Sequence, residues 1–509
     1  MAFQSILLDQ PEGCRERSDC PTCFSDLNLD QIVKAVTAGK EEYNLQSFFY
    51  AALNEENAIL YRQDILKDLE KQSVFSILQT FANQMKEVRK HVALSEKLYY
   101  HYSKEGWFLQ AVRIYCNAVS QLAGSLSAAE LHSDGLKNFC TYGNDVIRSE
   151  SFQTLQDTAE RLNSDLSAIQ YCILIRGNCV RVQKSESEPD YSQDVAATFE
   201  KFRQGAVKDY RITYKHEKGM NSVESRIIEC VAKLYPEIFT GLDDFCTKYS
   251  DFQEPKIRDF DREIQFYVSY LEYIAPLKQS GLEFCYPAVL TECRDIHVEQ
   301  GFDLLLAKKL LSSGSAVVAN DFELNGKERA LIISGPNQGG KTTFARAFGQ
   351  IHYLAALGYP VPGRSAKLLL FDRIYTHFER EEEMKNLSGK LQDDLIRIHA
   401  VLNQATANSI IIMNEIFSST TLQDAILLGK KVMEQIRRLE SVCVFVTFID
   451  EMATLNDTTV SMVSTIVPDN PTERTYRIIR KAPDGLAYAL SIAEKYRLTD
   501  SCIKERIQL

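Results

Sequence analysis

The sequence predicts an α + α/β multidomain protein, in which a mostly helical first part with a small β insertion precedes an α/β domain. Three observations support this prediction. Apolar residues recur at helical spacing from Asn54 to about Gln170, β-rich segments lie near residues 171–220, and strand and helix signals alternate from about Gly301 onward. A chain of 509 residues is also too long for one ordinary core.

We expect three regions along the chain: an N-terminal arm at residues 1–50, a helical domain at 51–300 with an insertion near 171–220, and an α/β domain at 301–509. In the helical domain, β-branched residues flank a Gly177-Asn178 turn signal between Tyr171 and Gln183, and the segment Asp209–Tyr214 has similar character. A small antiparallel element is predicted there. Helical spacing resumes from Val223 to about Leu277.

The third region contains four β-rich runs, ALIIS, LLLFDRIYTHF, SIIIM and VCVFVTF, separated by helical segments. Strands that alternate with helices predict a largely parallel sheet.

The net charge is −11, so any contact with nucleic acid must be local. One basic segment stands out between Ala196 and Met220. Two interpretations remain open, a solvated helix face and a surface that binds DNA phosphates. The basic residues of this segment are Lys201, Arg203, Lys208, Arg211, Lys215 and Lys218.

The N-terminus has no secretory pattern and no window is apolar enough to span a bilayer, so we expect a cytoplasmic protein with no membrane partner. Among 13 cysteines, Cys20 and Cys23 form one close pair. This pair is interpreted either as half of a zinc site or as an ordinary turn.

A glycine-rich phosphate loop is the most specific motif. Residues 335–342 fit G-x-x-x-x-G-K-[ST], follow the apolar strand Leu331–Ser334 and open a predicted helix at Thr342–Leu357. Backbone N–H groups of such a loop surround phosphate oxygens, Lys341 reaches the terminal phosphates and the Thr342 hydroxyl binds Mg²⁺. The alternative is a glycine-rich turn with an incidental lysine. We therefore expect ATP and Mg²⁺ to be bound by Gly335, Pro336, Asn337, Gln338, Gly339, Gly340, Lys341, Thr342 and Thr343.

A carboxylate follows another predicted strand, Ser409–Met413. Glu415 is the candidate base that orients the attacking water, unless it is an ordinary loop carboxylate. Asn414 stands where an Asp usually helps to hold Mg²⁺, and an amide oxygen there is expected to bind the metal more weakly.

The segment Asn386–Gln392 precedes a predicted helix at Asp393–Gln404 and resembles the L-S-G-G-Q signature of ABC-type ATPases. In such ATPases this segment covers the γ-phosphate of the opposite subunit, so Ser388 is a candidate catalytic residue. A helix N-cap at Ser388 or Asn386 is the simpler alternative.

The third region resembles the ATPase domain of the MutS mismatch-repair family. Residues 335–343, GPNQGGKTT, are similar to the family's G-P-N-x-G-G-K-S-T loop. Four further blocks are similar in sequence and order, namely residues 317–321, 371–376, 414–421 and 485–493. The resemblance covers roughly residues 300–500. It implies a P-loop ABC-type ATPase domain, core and lever helices with a clamp-like insertion, and a homodimer around two ATP molecules that acts on DNA.

The chain departs from the family pattern at several places. The arm has no room for the family's mismatch-reading domain, so we expect a short homologue. Phe448 replaces a family histidine that senses the γ-phosphate, and Lys390 and Leu391 replace a Ser-Thr pair.

The leading hypothesis is a MutS-like ATPase that closes a helical clamp on DNA in repair or recombination. The alternative is a nucleotide-switched protein-assembly factor that does not bind DNA. A third hypothesis, favoured by Asn414 and Phe448, is a slowly hydrolysing ATP binder. The sequence does not identify the DNA structure, the partner or the pathway.

Overall fold

The structure is a computed structural model, and it describes residues 3–9, 16–185, 197–198, 220–291, 294–379, 389–467, 470–483 and 503–504. The chain divides into two compact units. The first comprises Met1–Phe3, Gln72–Leu131 and Lys137–Asp261, and the second comprises Gln4–Lys71, His132–Leu136 and Arg262–Leu509. In the described ranges, no helix combines the length and the apolar character needed to cross a membrane.

Helices dominate the first part of the chain and alternate with strands in the last part. In chain order the α-helices are α1 Leu29–Val36, α2 Gln46–Phe49, α3 Glu56–Leu69, α4 Gln72–Lys97, α5 His101–Ala128, α6 Asp134–Arg148, α7 Glu150–Ser167, α8 Ser222–Leu234, α9 Pro236–Lys248, α10 Pro255–Gln279, α11 Leu304–Ser313, α12 Lys341–Ala356, α13 Lys390–Gln404 and α14 Leu422–Leu439. Short 3₁₀ helices lie at Glu41–Tyr43 and Asp450–Thr454.

The strands form four sheets. They are β1 Tyr171–Arg176, β2 Cys179–Lys184, β3 Phe284–Cys285, β4 Ala288–Leu290, β5 Ile296–Gly301, β6 Asn320–Leu324, β7 Ala330–Ser334, β8 Val361–Pro362, β9 Ser365–Leu369, β10 Ile374–Phe378, β11 Ile410–Asn414, β12 Val442–Val446, β13 Thr459–Val467 and β14 Asn470–Arg480.

The first unit is mainly helical, which confirms the prediction from apolar spacing. On α4 the buried residues Leu78, Phe81, Met85 and Val88 recur every three or four positions and form one apolar stripe. Helix α8 begins at a capping box, in which the Asn221 side chain accepts from the backbone of Glu224 and the Glu224 carboxylate accepts from the backbone of Asn221.

Strands β1 and β2 form the predicted antiparallel hairpin, with Tyr171 opposite Lys184. Gly177 adopts a φ of +61° at the turn, a conformation that glycine reaches without steric cost. The second segment predicted for this element, residues 209–214, lies outside the described residues.

The second unit contains a six-stranded sheet in the order β10-β11-β12-β7-β13-β14. The first five strands are mutually parallel and β14 is antiparallel to β13, which confirms the prediction of a largely parallel sheet. Strands β7, β11 and β12 are buried along their whole length. Strands covered on both faces are continuous apolar runs in sequence, as seen here.

The β-rich run LLLFDRIYTHF contains the end of β9 and all of β10, because the chain turns at Asp372. The Asp372 carboxylate accepts a hydrogen bond from Ser409 Oγ at 2.7 Å and another from the Thr406 hydroxyl. Strand β9 therefore ends at Leu369 in a separate four-stranded sheet, and β10 begins at Ile374.

Strands β7, β11 and β12 run in the same direction, so their carboxyl ends meet at one edge of the sheet. In open parallel sheets this edge is where ligands bind. Helix α12 begins at that edge, directly after the glycine-rich loop that follows β7.

Candidate nucleotide-binding site

The glycine-rich loop 335–340 joins β7 to α12, in the predicted order of strand, loop and helix. Gly335 has a φ of +114°, and a Cβ atom there would lie 2.9 Å from the backbone oxygen of Ser464. Gly340 has a φ of +91°. Glycine is required at Gly335 for two reasons, the left-handed backbone and the close approach of β13.

Lys341 begins α12, and its side chain turns back over the loop. Its Nζ donates to the Gly335 oxygen at 2.7 Å and to Asn337 Oδ1 at 3.3 Å, and the residue is only 4% exposed. Burial lowers the pKa of Lys341, the Glu415 carboxylate raises it and Arg474 lowers it. The ammonium thus lies where desolvation strengthens its attraction for an anion.

The Thr342 hydroxyl and the end of β11 meet at the site. Thr342 Oγ1 donates to Asn414 Oδ1 over 2.9 Å, although 72 positions separate the two residues in sequence. Asn414 is the last residue of β11 and is 8% exposed. The two oxygens predicted to lie near Mg²⁺ are therefore neighbours.

Glu415 follows Asn414 in a left-handed backbone conformation, with a φ of +53°. Its N–H donates to the Val446 oxygen at 2.9 Å, which fixes it to the end of β12. A residue other than glycine with this φ is uncommon, and such conformations concentrate at functional sites.

These groups line one cleft of about 650 Å³. Part of the lining is polar and comes from the loop, Lys341, Thr342, Thr343 and Glu415. Another part is apolar. The apolar lining residues are Phe302, Leu306, Leu310, Val317, Val318, Phe322, Phe344 and Ala347.

Two residues of β14 belong to the site and were not predicted. Arg474 Nε donates to the Asn337 oxygen at 3.2 Å, and Tyr476 lines the cleft with a φ of +57°. Asn320 also lines the cleft, and its Nδ2 donates to the Tyr476 oxygen at 3.2 Å. Arg474 has no motif around it in the sequence, so only the pairing of β14 with β13 brings it to the loop.

Several predicted residues lie outside the described residues. Ser388 is one of them, and the sequence block 485–493 is another. The structure describes the next part of the proposed signature, where α13 begins at Lys390 after Gly389. The basic residues predicted to contact DNA also lie outside the described residues, namely Lys201, Arg203, Lys208, Arg211 and Lys215.

Phe448 and the cysteine pair lie apart from the residues that line the cleft. Phe448 follows β12 and its side chain is 49% exposed, whereas Thr447 beside it is buried and donates its N–H to Ile333. Cys20 is exposed and Cys23 is buried in a turn. In the described part of the chain, the group of side chains arranged to hold a metal with three ligands does not include either cysteine.

Comparison with known proteins gives one family match and several relatives. Residues 331–508 match MutS domain V. The endonuclease MutS2 of Gemmatimonas aurantiaca is 29% identical over 198 residues, which are 38% of this chain and 24% of that protein. The DNA mismatch repair protein msh3 of Aspergillus fumigatus is 32% identical over 162 residues, which are 31% of this chain and 14% of that protein.

A longer alignment is found with the DNA mismatch repair protein MutS of Rickettsia massiliae. It is 24% identical over 351 residues, which are 67% of this chain and 35% of that protein. The chain thus spans between about a seventh and about a third of the length of these relatives. The matched residues include strands β7, β11 and β12, at whose carboxyl ends the cleft lies. The comparisons therefore support a MutS-family protein through residues 331–508, which match MutS domain V.

Proposed function

We propose that the chain binds ATP with Mg²⁺ in the cleft and hydrolyses it, so that residues 301–509 act as a P-loop ABC-type ATPase domain. The observation that carries this proposal is the junction at the start of α12. There a buried lysine ammonium, a threonine hydroxyl and the end of a second parallel strand, β11, converge on one glycine-rich loop. This is the arrangement that binding of a triphosphate requires.

We assign the phosphates and the base of the nucleotide to different groups that line the cleft. The phosphates would lie on the loop, where backbone N–H groups and the N-terminus of α12 favour negative charge. Lys341 would exchange its contact with the Gly335 oxygen for a phosphate oxygen. The apolar lining residues, among them Phe302 and Leu306, would take the base.

The residues present fit a metal ion between Thr342 and Asn414. Both offer neutral oxygens, 2.9 Å apart, and oxygen is the ligand atom that Mg²⁺ prefers. Mg²⁺ bound there would neutralise charge on the phosphates. Since Asn414 carries no charge, the affinity for the metal should be lower than with an aspartate.

Glu415 is the proposed base that orients the attacking water. Its left-handed backbone and its hydrogen bond to Val446 hold it at the edge of the cleft, beside the loop. Ser388 is proposed to act on the nucleotide of a partner subunit, which makes the protein a homodimer with composite sites. This second role rests on the sequence resemblance.

Lys341→Ala tests the nucleotide site. The variant should bind ATP about a hundredfold more weakly or worse, because a charge-assisted contact is lost from a desolvated site. The fold should persist, since burying this ammonium is itself unfavourable. Binding of a fluorescent ATP analogue and thermal unfolding would be measured. Lys430→Ala, at an exposed position of α14, is the control. Tight ATP binding by Lys341→Ala would refute the proposed site.

Asn414→Asp tests the metal position separately. The added carboxylate should lower the Mg²⁺ concentration needed for half-maximal hydrolysis, whereas the affinity for nucleotide measured without Mg²⁺ should not improve. An unchanged Mg²⁺ requirement would place the metal away from Asn414.

We further propose that the protein acts on DNA in a mismatch-repair type of process, as a clamp whose closure follows ATP binding. The relatives named as DNA mismatch repair proteins support this proposal. Binding to branched duplex, measured with and without ATP, should weaken steeply with salt if phosphate contacts carry it. Reversal of Lys208, Arg211 and Lys215 to Glu should weaken that binding and leave the basal ATPase rate unchanged.

The second candidate is a nucleotide-switched assembly factor that does not bind DNA. The net charge of −11 favours it. Absence of salt-dependent DNA binding, with ATP hydrolysis intact, would support this candidate over the clamp.

A further inference from the structure

A cluster in the first unit joins two helices that the proposed ATPase chemistry does not use. His101 and Glu105 lie four positions apart on α5 and so share one helix face, and Asp243 reaches them from α9. His101 Nε2 lies 2.6 Å from Asp243 Oδ1 and 3.6 Å from Glu105 Oε1. One ligand atom from each residue lies within 4.8 Å of the others.

The cluster contains two carboxylates, and the ion pairs described for them involve one histidine. The Glu105 side chain is 9% exposed, so it is more than nine-tenths buried, and its Oε2 atom has no hydrogen-bond partner in the described structure. Burial and, after it, the hydrogen bond and charge of Asp243 together raise the pKa of Glu105 to about 8. The ion pairs described for Glu105 and Asp243 are both with His101.

Two carboxylates that share a buried site need a cation between them, which can be a proton or a metal ion. An imidazole nitrogen with two carboxylate oxygens is a set of ligands that Zn²⁺ accepts, and three protein ligands leave a fourth position for water. A proton would satisfy only the two carboxylates, whereas a metal would also use the imidazole and the unpartnered Oε2 atom.

We propose that His101, Glu105 and Asp243 bind a divalent transition-metal ion of the Zn²⁺ class, which ties α5 to α9. Tetrahedral bonds of about 2.0–2.1 Å place ligand atoms roughly 3.3 Å apart. The 2.6 Å contact between His101 and Asp243 would therefore open when the ion binds. The ion would lie within the helical unit and would stabilise it, in the manner of a structural metal.

Zn²⁺ titration of the full-length chain, after chelation and under reducing conditions, tests the proposal. The wild type should take up one Zn²⁺ at this site and unfold at a higher temperature with Zn²⁺ than without it. His101→Ala should bind Zn²⁺ at least about tenfold more weakly and lose most of the thermal shift. His399→Ala, at an exposed position in the second unit, should behave like the wild type.

A second variant and a second metal keep the test informative. Glu105→Gln preserves shape and should fold, yet it should also lose the Zn²⁺-dependent shift. Co²⁺ bound at this site should show d–d absorption without a thiolate charge-transfer band, which separates it from binding by cysteines. The proposal is overturned if Zn²⁺ uptake is equal in His101→Ala and His399→Ala. It is also overturned if Glu105→Gln stabilises the protein and the wild type shows no Zn²⁺ effect, since a proton then joins the carboxylates.

Discussion

At the scale of single residues, Arg474 is the cation that the fold adds to the phosphate loop. It contacts the Asn337 oxygen and is close enough to lower the pKa of Lys341. No sequence motif marks it, because its position depends on the register of β14 against β13. The contribution of Arg474 to ATP affinity is therefore best measured by comparison with another arginine of β14.

Arg474→Ala should weaken ATP binding by about tenfold, which corresponds to ~1.4 kcal/mol, because one positive charge beside the phosphates is lost. Arg477→Ala, an exposed position three residues further along β14, should have little effect. Equilibrium binding of ATP to both variants would be compared at two salt concentrations. Equal affinities for the two variants would mean that Arg474 only supports the loop backbone.

The burial of His352 on α12 lets us predict how the stability of the second unit depends on pH. Its ring is fully buried and stacks on Phe348, its Nδ1–H donates to the Phe348 oxygen at 2.8 Å, and burial lowers its pKa from 6.5 to about 4. The unfolded chain therefore binds a proton between these pH values and the folded chain does not. Stability should fall as the pH drops through this window, by at most about 3 kcal/mol from this residue.

His352→Leu should lose less stability than the wild type between pH 7 and about pH 4.5, since the variant cannot bind that proton in either state. Denaturant unfolding at both pH values would measure the difference. His399→Leu is the exposed control and should follow the wild type. If His352→Leu and the wild type lose equal stability, His352 does not titrate as its burial implies.

At the scale of elements, the phosphate loop depends on the β13–β14 hairpin. Ser464 on β13 is fully buried and donates its hydroxyl to the Gly339 oxygen at 2.7 Å. A Cβ atom at Gly339 would collide with that hydroxyl and would lie 3.0 Å from the Pro336 oxygen. The conformation of the loop therefore depends on the position of β13.

Gly339→Ala should reduce ATP binding strongly, because the loop has to move away from Ser464. Adding Ser464→Gly should restore part of the binding, since it removes the nearest obstructing atoms. Ser464→Gly alone should cost far less, as it removes one hydrogen bond of about 1 kcal/mol. A double-mutant cycle on ATP affinity measures the coupling. Additive effects would show that the two residues do not interfere.

The sequence allowed much of this element structure to be predicted, for identifiable reasons. The regular spacing of apolar residues predicted the helices of the first unit. Uninterrupted apolar segments predicted strands β7, β11 and β12. The loop, Lys341, Thr342, Asn414 and Glu415 were predicted to lie together because each follows a strand at motif spacing, and the structure places them around one cleft. The turn at Asp372 was missed because its stabilising partners, Thr406 and Ser409, are distant in sequence. Arg474, Tyr476 and the His101 cluster were missed for the same reason.

At the scale of the whole molecule, the question is whether two chains share each ATPase site. Glu415→Gln should retain ATP binding and trap it, because the proposed base is lost while the loop is intact. Ser388→Arg should bind ATP and hydrolyse little. A mixture of the two inactive proteins should regain some hydrolysis, since a heterodimer contains one site with both Glu415 and Ser388 unaltered.

Steady-state hydrolysis of the mixture, compared with each variant alone at the same total concentration, gives the answer. Raising Mg²⁺ should increase the recovered rate, because Asn414 offers a neutral ligand. If two folded, ATP-binding variants fail to complement each other, each site works within a single chain and the proposed dimer loses its main support.

The pairing of β7 has a further consequence for biogenesis. Ala330 at the start of β7 pairs with Cys443 on β12 and with Thr459 on β13, strands that the ribosome makes much later. Until both have emerged, β7 is an apolar segment without neighbours, and such segments bind chaperones or aggregate. Nascent chains halted before β13 should therefore fail to retain ATP. ATP binding by nascent chains would then show that β13, the last parallel strand of the sheet, has been synthesised.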